Sequence, residues 1–207
     1  MDLKYLLKLL KCLKKIMEEN REYLIDLDSV VGDGDLGLTM SDGFAAAYKA
    51  AEEFQGDDAG KLLYSSGKAM SIAVPSTMGT LMASGFMNAG KELRGKTSLQ
   101  NSDIVLMFQS YMDGVSNRGK AKVGDKTFLD GFYYGVEALK KSLIVGESLA
   151  EGAKKAAAAA EQGFKDTSKL LAIHGRAAIR GEASRALLDP GAAVAMLMMK
   201  AFENSMN

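Results

Sequence analysis

Hydrophobic and polar positions alternate with the period of an α-helix over most of the chain. In the first segment, MDLKYLLKLLKCLKKIMEEN, apolar residues recur every three or four positions and lysines lie between them. The same period returns in later segments, and the two-residue alternation of β-strands is nearly absent. The predicted helices cover residues 2–19, 21–30, 38–54, 58–73, 77–90, 101–117, 127–143, 147–168 and 191–205. The pattern therefore predicts an all-α protein.

The connections between these helices are short and contain most of the glycines, and Pro75 and Pro190 are the only prolines. Short links between long helices make neighbouring helices antiparallel, which predicts a bundle or a ring of helices. The chain is long enough for one sizeable core. We expect residues 1–207 to form a single domain.

Composition and charge exclude several classes of function. Lysine plus arginine equals aspartate plus glutamate at 26 each, so no overall field favours nucleic acid or an anionic membrane. In the first helix, lysines interrupt every apolar run, which favours an amphipathic helix docked on the core over a signal peptide or a membrane helix. The single Cys12 excludes an internal disulfide and favours a cytoplasmic protein.

Polar residues and glycines concentrate at helix ends in four stretches, 28–39, 75–80, 118–127 and 174–191. Helix ends alternate between the two faces of an up-and-down bundle, so several of these stretches can converge at one end. A binding site on a helical scaffold usually has this layout.

The stretch LDSVVGDGDLGLT contains three carboxylates, those of Asp28, Asp33 and Asp35, and glycines at positions 32, 34 and 37. Crowded like charges repel, whereas hard divalent cations prefer carboxylate oxygens, and magnesium leaves coordination positions open for phosphate. A calcium-binding EF-hand loop does not fit, because the twelfth position counted from Asp33 is Phe44 rather than glutamate. The pattern favours a magnesium site over a plain turn.

The stretch GKAKVGDKT at 119–127 is not a phosphate-binding P-loop, because Asp125 separates Gly124 from Lys126 and no strand precedes it. Asp125 or Thr127 is instead expected to cap the following helix. In VPSTMGT, at 74–80, Ser76 is expected at a helix N-terminus, where it could cap the helix or the free N–H groups could bind phosphate.

The C-terminal stretch HGRAAIRGEASRALLDPG contains Arg176, Arg180 and Arg185, of which one could reach an anionic ligand. Its DPG turn is expected to start the last helix. His174 is the only histidine, which excludes a multi-histidine metal site, and no special role is expected for it.

Four stretches, LDSVVGDGDLGLTM, RGKAKVGDKT, GRAAIRGEAS and DPGAAVAMLMM, closely resemble in order and spacing the nucleotide-binding L subunit of dihydroxyacetone kinase. The resemblance covers essentially the whole chain. It implies an antiparallel up-and-down barrel of eight helices, with one end capped by a site where ADP or ATP is held through two magnesium ions.

The resemblance also implies roles for individual residues. Asp28, Asp33 and Asp35 correspond to the magnesium ligands, and their part in catalysis is to hold the ions that neutralise the nucleotide. A loop formed by Leu36, Gly37, Leu38 and Thr39 would wrap the phosphates. The remaining residues expected around the nucleotide are Thr77, Met78, Gly119, Phe128, Arg176, Asp189, Pro190 and Gly191.

The implied activity is half of a kinase, in which this chain presents magnesium nucleotide to a separate K-type subunit that carries dihydroxyacetone or a related short-chain ketose. Either free ATP or a phosphotransferase-system protein that recharges bound ADP could supply the phosphate. The sequence leaves open whether the protein forms a homodimer. A nucleotide-loaded regulatory module without catalysis is the alternative, and a helical scaffold with incidental aspartates is the plainest reading. The chain departs from many family members at Leu36, where they have histidine, and at PSTMGT, where they have GGASGP.

Overall fold

The computed structural model describes all 207 residues, which form nine α-helices and no strand. Every helix predicted from the periodicity is present. The helices are α1 (Leu3–Glu19), α2 (Arg21–Val31), α3 (Leu36–Glu52), α4 (Ala59–Ala73), α5 (Thr77–Glu92), α6 (Asn101–Gly119), α7 (Phe128–Ile144), α8 (Leu149–Asp166) and α9 (Pro190–Asn204).

One local expectation is wrong, and one connection has more regular structure than the sequence indicates. Helix α3 begins at Leu36 rather than at 38, so residues 36–39 form the first turn of a helix and not a loop. The connection from α8 to α9 contains 3-10 helices at Thr167–Lys169 and Arg176–Ser184, the second broken at Gly181. Such turns are too short to leave a hydrophobic period in the sequence.

Eight of the helices pack in a closed ring. From α3 onward each helix packs against the next one in the chain as far as α9, and α1 joins the two ends by packing against both α9 and α3. Short connections make most consecutive helices of the ring antiparallel. The α8–α9 connection is long, but the Asp189 N–H donates to Thr167 Oγ1, so the end of α8 lies beside the start of α9 and this pair is antiparallel too, as expected of an up-and-down barrel. Helix α2 packs mainly against α3 and also contacts α1, α9 and the 3-10 helix Arg176–Ser184.

The ring encloses one cluster of 49 buried apolar residues. Helix α1 contributes the face predicted from its period, with Leu6, Leu10, Leu13 and Met17 buried and its lysines facing outward. Helix α9 is apolar and almost wholly buried. None of the helices combines the length and the apolar character needed to cross a bilayer.

Candidate functional site

The four polar stretches converge at one end of the ring, as the sequence predicts. They line a single cleft of about 990 Å³. Its walls come from the connections α2–α3, α4–α5, α6–α7 and α8–α9 and from the helix turns beside them. A cleft of this size at the end of a helical scaffold can hold a ligand as large as a nucleotide.

The acidic turn is compact because of its glycines. Gly34 has a φ of +74°, a conformation that side chains disfavour, and its N–H donates to Asp28 Oδ2 at 2.9 Å. A Cβ atom on Gly32 would lie 2.4 Å from Asp28 Oδ1. As a result, one carboxylate oxygen from each of Asp28, Asp33 and Asp35 lies within 4.8 Å of the other two.

The charges of this turn are only partly neutralised by the protein. Burial raises the pKa of Asp28, as do the charges of Asp33 and Asp35, while the Gly34 and Leu36 N–H groups act in the opposite direction. Arg176 Nη1 lies 2.6 Å from Asp33 Oδ2 and is the one cation paired with the turn. Clustered carboxylate oxygens with excess negative charge form a donor set that fits magnesium.

The start of α5 forms the second wall of the cleft. Ser76 is the N-cap, and its Oγ accepts the Gly79 N–H at 3.0 Å, which confirms the capping role. Thr77, Met78 and Thr80 line the cleft at this helix terminus. The positive end of the α5 dipole therefore faces the cleft, where it would favour a phosphate group.

The α6–α7 connection forms the third wall. Thr127 is the N-cap of α7, and Asp130 completes the capping box, so of the two candidate caps only Thr127 is used. Asp125 instead accepts the Lys122 N–H and lies 3.0 Å from His174 Nε2. Burial alone would raise the pKa of Asp125, but the Lys122 and His174 contacts outweigh it and the pKa is lowered. Contrary to the sequence-based expectation, His174 therefore has a specific partner.

The α8–α9 connection ends in the predicted DPG turn. Asp189 caps α9 by accepting the Ala192 N–H at 2.7 Å, and Pro190 is the first residue of the helix. Burial raises the pKa of the Asp189 carboxyl to about 7, with a further contribution from the Asp130 charge; the Ala192 N–H and the Lys126 ammonium act in the opposite direction. A buried carboxyl with a shifted pKa therefore lies at the wall of the cleft.

Most residues implicated by the resemblance line the cleft. These are Asp28, Asp33, Asp35, Leu36, Thr77, Met78, Gly119, Phe128, Arg176, Asp189, Pro190 and Gly191. Gly37, Leu38 and Thr39 are outside this lining: Gly37 packs closely on the Arg21 carbonyl of α2, Thr39 is buried and Leu38 faces outward. A helical start to α3 turns these residues away from the cleft, so the expected wrapping loop is absent.

Several lining residues were missed by sequence reasoning, among them Thr80, Arg118, Lys126 and Thr127. Arg118 is exposed at the end of α6, and no motif singles it out. For Lys126 the sequence offers one signal of a position in the site, because the residue lies between a glycine-containing turn and a helix cap. Its partners are distant in the sequence, however, so its position could not be derived from spacing.

Comparison with known proteins gives a consistent result. The sequence model of the DAK2 domain matches residues 30–204. The chain is 34% identical over 185 residues to the PEP-dependent dihydroxyacetone kinase, ADP-binding subunit DhaL, of Escherichia coli, with 89% of this chain and 88% of the relative covered. It is 33% identical over 201 residues to the corresponding subunit of dihydroxyacetone kinase 2 from Listeria innocua, with 96% and 93% covered.

A solved structure shares the fold. The dihydroxyacetone kinase from C. freundii in complex with AMP-PNP and Mg²⁺ aligns with a TM-score of 0.73 at 18% sequence identity. The alignment covers 96% of this chain and 33% of the solved chain, so this protein spans about a third of that enzyme's length. The match over residues 30–204, together with the identity over nearly the full length of the two relatives, shows that the chain belongs to the DAK2 domain family, as an L-subunit-type member.

Proposed function

We propose that this protein is the ADP- or ATP-binding L subunit of a dihydroxyacetone-type kinase and that residues 1–207 act as one nucleotide-binding domain. The observation that carries the proposal is the carboxylate triad, whose oxygens lie within 4.8 Å of one another at the wall of a cleft of about 990 Å³. Two relatives that match over nearly the full chain are named ADP-binding subunits, which supports the same assignment.

Asp28, Asp33 and Asp35 are the residues that would hold two magnesium ions. Bound magnesium would neutralise the phosphate oxygens and help align them for transfer. Burial and mutual repulsion hold the pKa of Asp28 above its usual range, and the charge of a divalent cation would compensate for both. A solved enzyme that shares the fold is described as a complex with AMP-PNP and Mg²⁺, which supports this choice of ligand.

Of the remaining cleft residues, one group would contact the phosphates of the nucleotide and another group would contact its base. Thr77 and the N–H groups at the start of α5 face the phosphate side, as does the guanidinium of Arg176 beside Asp33. Gly119, Phe128 and the DPG turn offer an apolar and backbone-lined surface for the base. These groups bind and orient the nucleotide, so the chain itself performs little covalent chemistry.

The acceptor is a short-chain ketose such as dihydroxyacetone, carried by a separate K-type subunit. Since both relatives are named PEP-dependent, we favour recharging of bound ADP by a phosphotransferase-system protein over exchange with free ATP. Leu36 lines the cleft beside the triad, and the PSTMGT stretch forms the wall at α5. We therefore place any difference in ketose or partner preference at these two positions.

Binding is tested by titration calorimetry with ADP in the presence and absence of magnesium. The wild type is expected to bind ADP only with magnesium, and Asp33→Asn is expected to lower that affinity by about 100-fold, because it removes a charged ligand from a shared site. Asp26→Asn is the matched control, since Asp26 is an exposed carboxylate on α2, the helix that precedes the acidic turn. Equal affinity of Asp33→Asn and the control would overturn the site assignment.

Catalysis is tested by adding the loaded protein to a K-type subunit and dihydroxyacetone, with either ATP or the phosphotransferase-system donor. Formation of phosphorylated ketose that depends on this chain would support the kinase function and identify the phosphate source. Tight nucleotide binding without transfer from either donor would instead indicate the nucleotide-loaded regulatory module.

A further inference from the structure

The segment between α8 and α9 that contains Arg176, here called the strap (residues 170–188), has almost no apolar anchoring. Within it only Ala172 and Ser184 are buried. Ile173 and Ile179 are both exposed, the latter by 87%. Apart from Ala172 and Leu188, which is partly buried against the core, the strap has little hydrophobic surface to bury, so polar contacts carry most of its anchoring.

Lys126 supplies the largest set of these contacts. Its side chain is buried, with 2% exposure, and its Nζ lies between 2.5 and 3.3 Å from the backbone carbonyl oxygens of five residues. Thr167 and Leu170 lie where the chain enters the strap, and Ser184, Arg185 and Leu187 lie where it leaves; these two parts are called its first and second stems. An ammonium has only three N–H donors, so these carbonyls surround it as they would a bound cation.

This arrangement is unfavourable for Lys126 itself. Its φ is +62°, in the left-handed region that non-glycine residues rarely adopt. Burial lowers the pKa of its ammonium, which the nearby Asp189 carboxyl partly opposes. The buried ammonium is compensated by the carbonyl oxygens around it.

The residue before Lys126 makes a second tie to the same strap. The Ile173 N–H donates to the Asp125 carbonyl at 3.2 Å, and His174 contacts the Asp125 carboxylate. Two residues later along the strap, Arg176 reaches Asp33 in the acidic turn. A continuous polar path thus runs from the buried ammonium, through the base of the strap, to the carboxylate triad.

We propose that Lys126 is a positioning residue: its ammonium draws the two stems of the strap together and so fixes Arg176 against the acidic turn, where it meets the nucleotide phosphates. This inference rests on the proposed nucleotide-binding function. It assigns Lys126 an action through Arg176 rather than direct contact with phosphate, because the five carbonyl oxygens leave its Nζ no free donor.

The strap contact is tested first without any ligand, by amide hydrogen exchange on Lys126→Met. This substitution keeps the unbranched chain up to the ε position and removes the ammonium with its charge and donors. Exchange at Ala172, Ile173 and Leu187 is expected to accelerate by at least about tenfold, while the helices of the ring keep their protection. Lys169→Met is the matched control, since the Lys169 ammonium is exposed and pairs only with Asp166. Unchanged strap exchange in Lys126→Met would overturn the proposal, and so would global loss of protection.

Action through Arg176 is tested by a double-mutant cycle on the affinity for magnesium ADP. Lys126→Met and Arg176→Ala are each expected to weaken binding by about tenfold, but Lys126→Met should add less than about twofold in the Arg176→Ala background. A merely structural role would give additive losses, which would overturn the proposal. If the wild type binds no magnesium ADP, the proposed function fails, whereas the exchange experiment still decides whether Lys126 holds the strap.

Discussion

The two ends of the helix ring use carboxylates in opposite ways. At the end away from the cleft, Asp58 accepts the N–H groups of Lys61 and Gly95, and Asp103 accepts the Gln100 N–H and pairs with Lys96. Burial alone would raise the pKa of both carboxyls, but these partners outweigh it and both pKa values are lowered. Each ionised carboxylate therefore stabilises the fold there.

At the cleft end Asp125 follows the same pattern, but Asp28 and Asp189 show the reverse balance. Burial raises the pKa of Asp28 and raises that of Asp189 to about 7, because the N–H donors and cations nearby do not compensate for lost hydration. When ionised, Asp28 and Asp189 therefore weaken the fold, and their charges are left for a cation or a ligand to compensate. The difference shows that one residue type can serve stability at one end of a barrel and binding at the other.

The largest effect that would sharpen this comparison is the pH dependence of stability due to Asp189. Below about pH 4 its carboxyl is protonated in both the folded and unfolded states; between pH 4 and 7 only the folded state keeps the proton. The free energy of unfolding is therefore expected to fall as the pH rises through this window, by about 4 kcal/mol at most, and to level off above pH 7. Denaturant unfolding of ligand-free protein at a series of pH values measures it.

Asp189→Asn is the control, because asparagine caps helices as well as aspartate does and does not titrate. Its unfolding free energy is expected to lack this decline. Parallel pH curves for the variant and the wild type would show that Asp189 does not hold a proton in the folded protein.

The next effect is functional. Asp28→Asn is expected to weaken magnesium-dependent ADP binding by about 100-fold, or about 2.7 kcal/mol, without lowering thermal stability, since it removes a repelled and partly buried charge. Calorimetry and thermal unfolding measure the two quantities. A loss of stability as large as that of a core mutation would contradict the division between the two ends.

The opposite result is expected for Asp103→Ala at the far end. The substitution removes half of the α6 capping box and the ion pair with Lys96, so the unfolding free energy should fall by about 1–2 kcal/mol. Magnesium ADP affinity should match the wild type, because Asp103 is remote from the cleft lining. A drop in magnesium ADP affinity together with the loss of stability would contradict the division of roles between the two ends.

The smallest effect concerns the exposed cap of α8 at the same far end. Ser148 accepts the Glu151 N–H and completes a capping box, so Ser148→Ala should lower the unfolding free energy by about 1 kcal/mol or less. Ser148→Asp retains a side-chain acceptor and should restore the wild-type value. Equal losses in both variants would mean that the cap is not the cause.

Local sequence signals were sufficient for much of the architecture. The period of α1, the caps Ser76 and Thr127, and the DPG turn each depend on neighbours within one or two helical turns, and each is found where the sequence predicts it. The acidic turn was predictable for the same reason, since three carboxylates and their glycines lie within one short stretch.

What could not be predicted depends on contacts between distant segments. The start of α3 at Leu36 follows from the close packing of Gly37 on α2, which periodicity does not record. The role of Lys126 depends on carbonyl groups more than 40 residues away, and any residue type offers such groups. His174 likewise acquires its partner, Asp125, only through the path of the folded strap.

The contact between α1 and α9 has a consequence for how the cleft assembles. The four connections that form its walls are spread along the chain, and their geometry is complete only when the first and last helices of the ring have met. A half-assembled chain would therefore offer no complete pocket. A molecule that bridges the acidic turn and the DPG turn would restrain the seam between these helices, so its presence should slow amide exchange even in α1, none of whose residues lines the cleft.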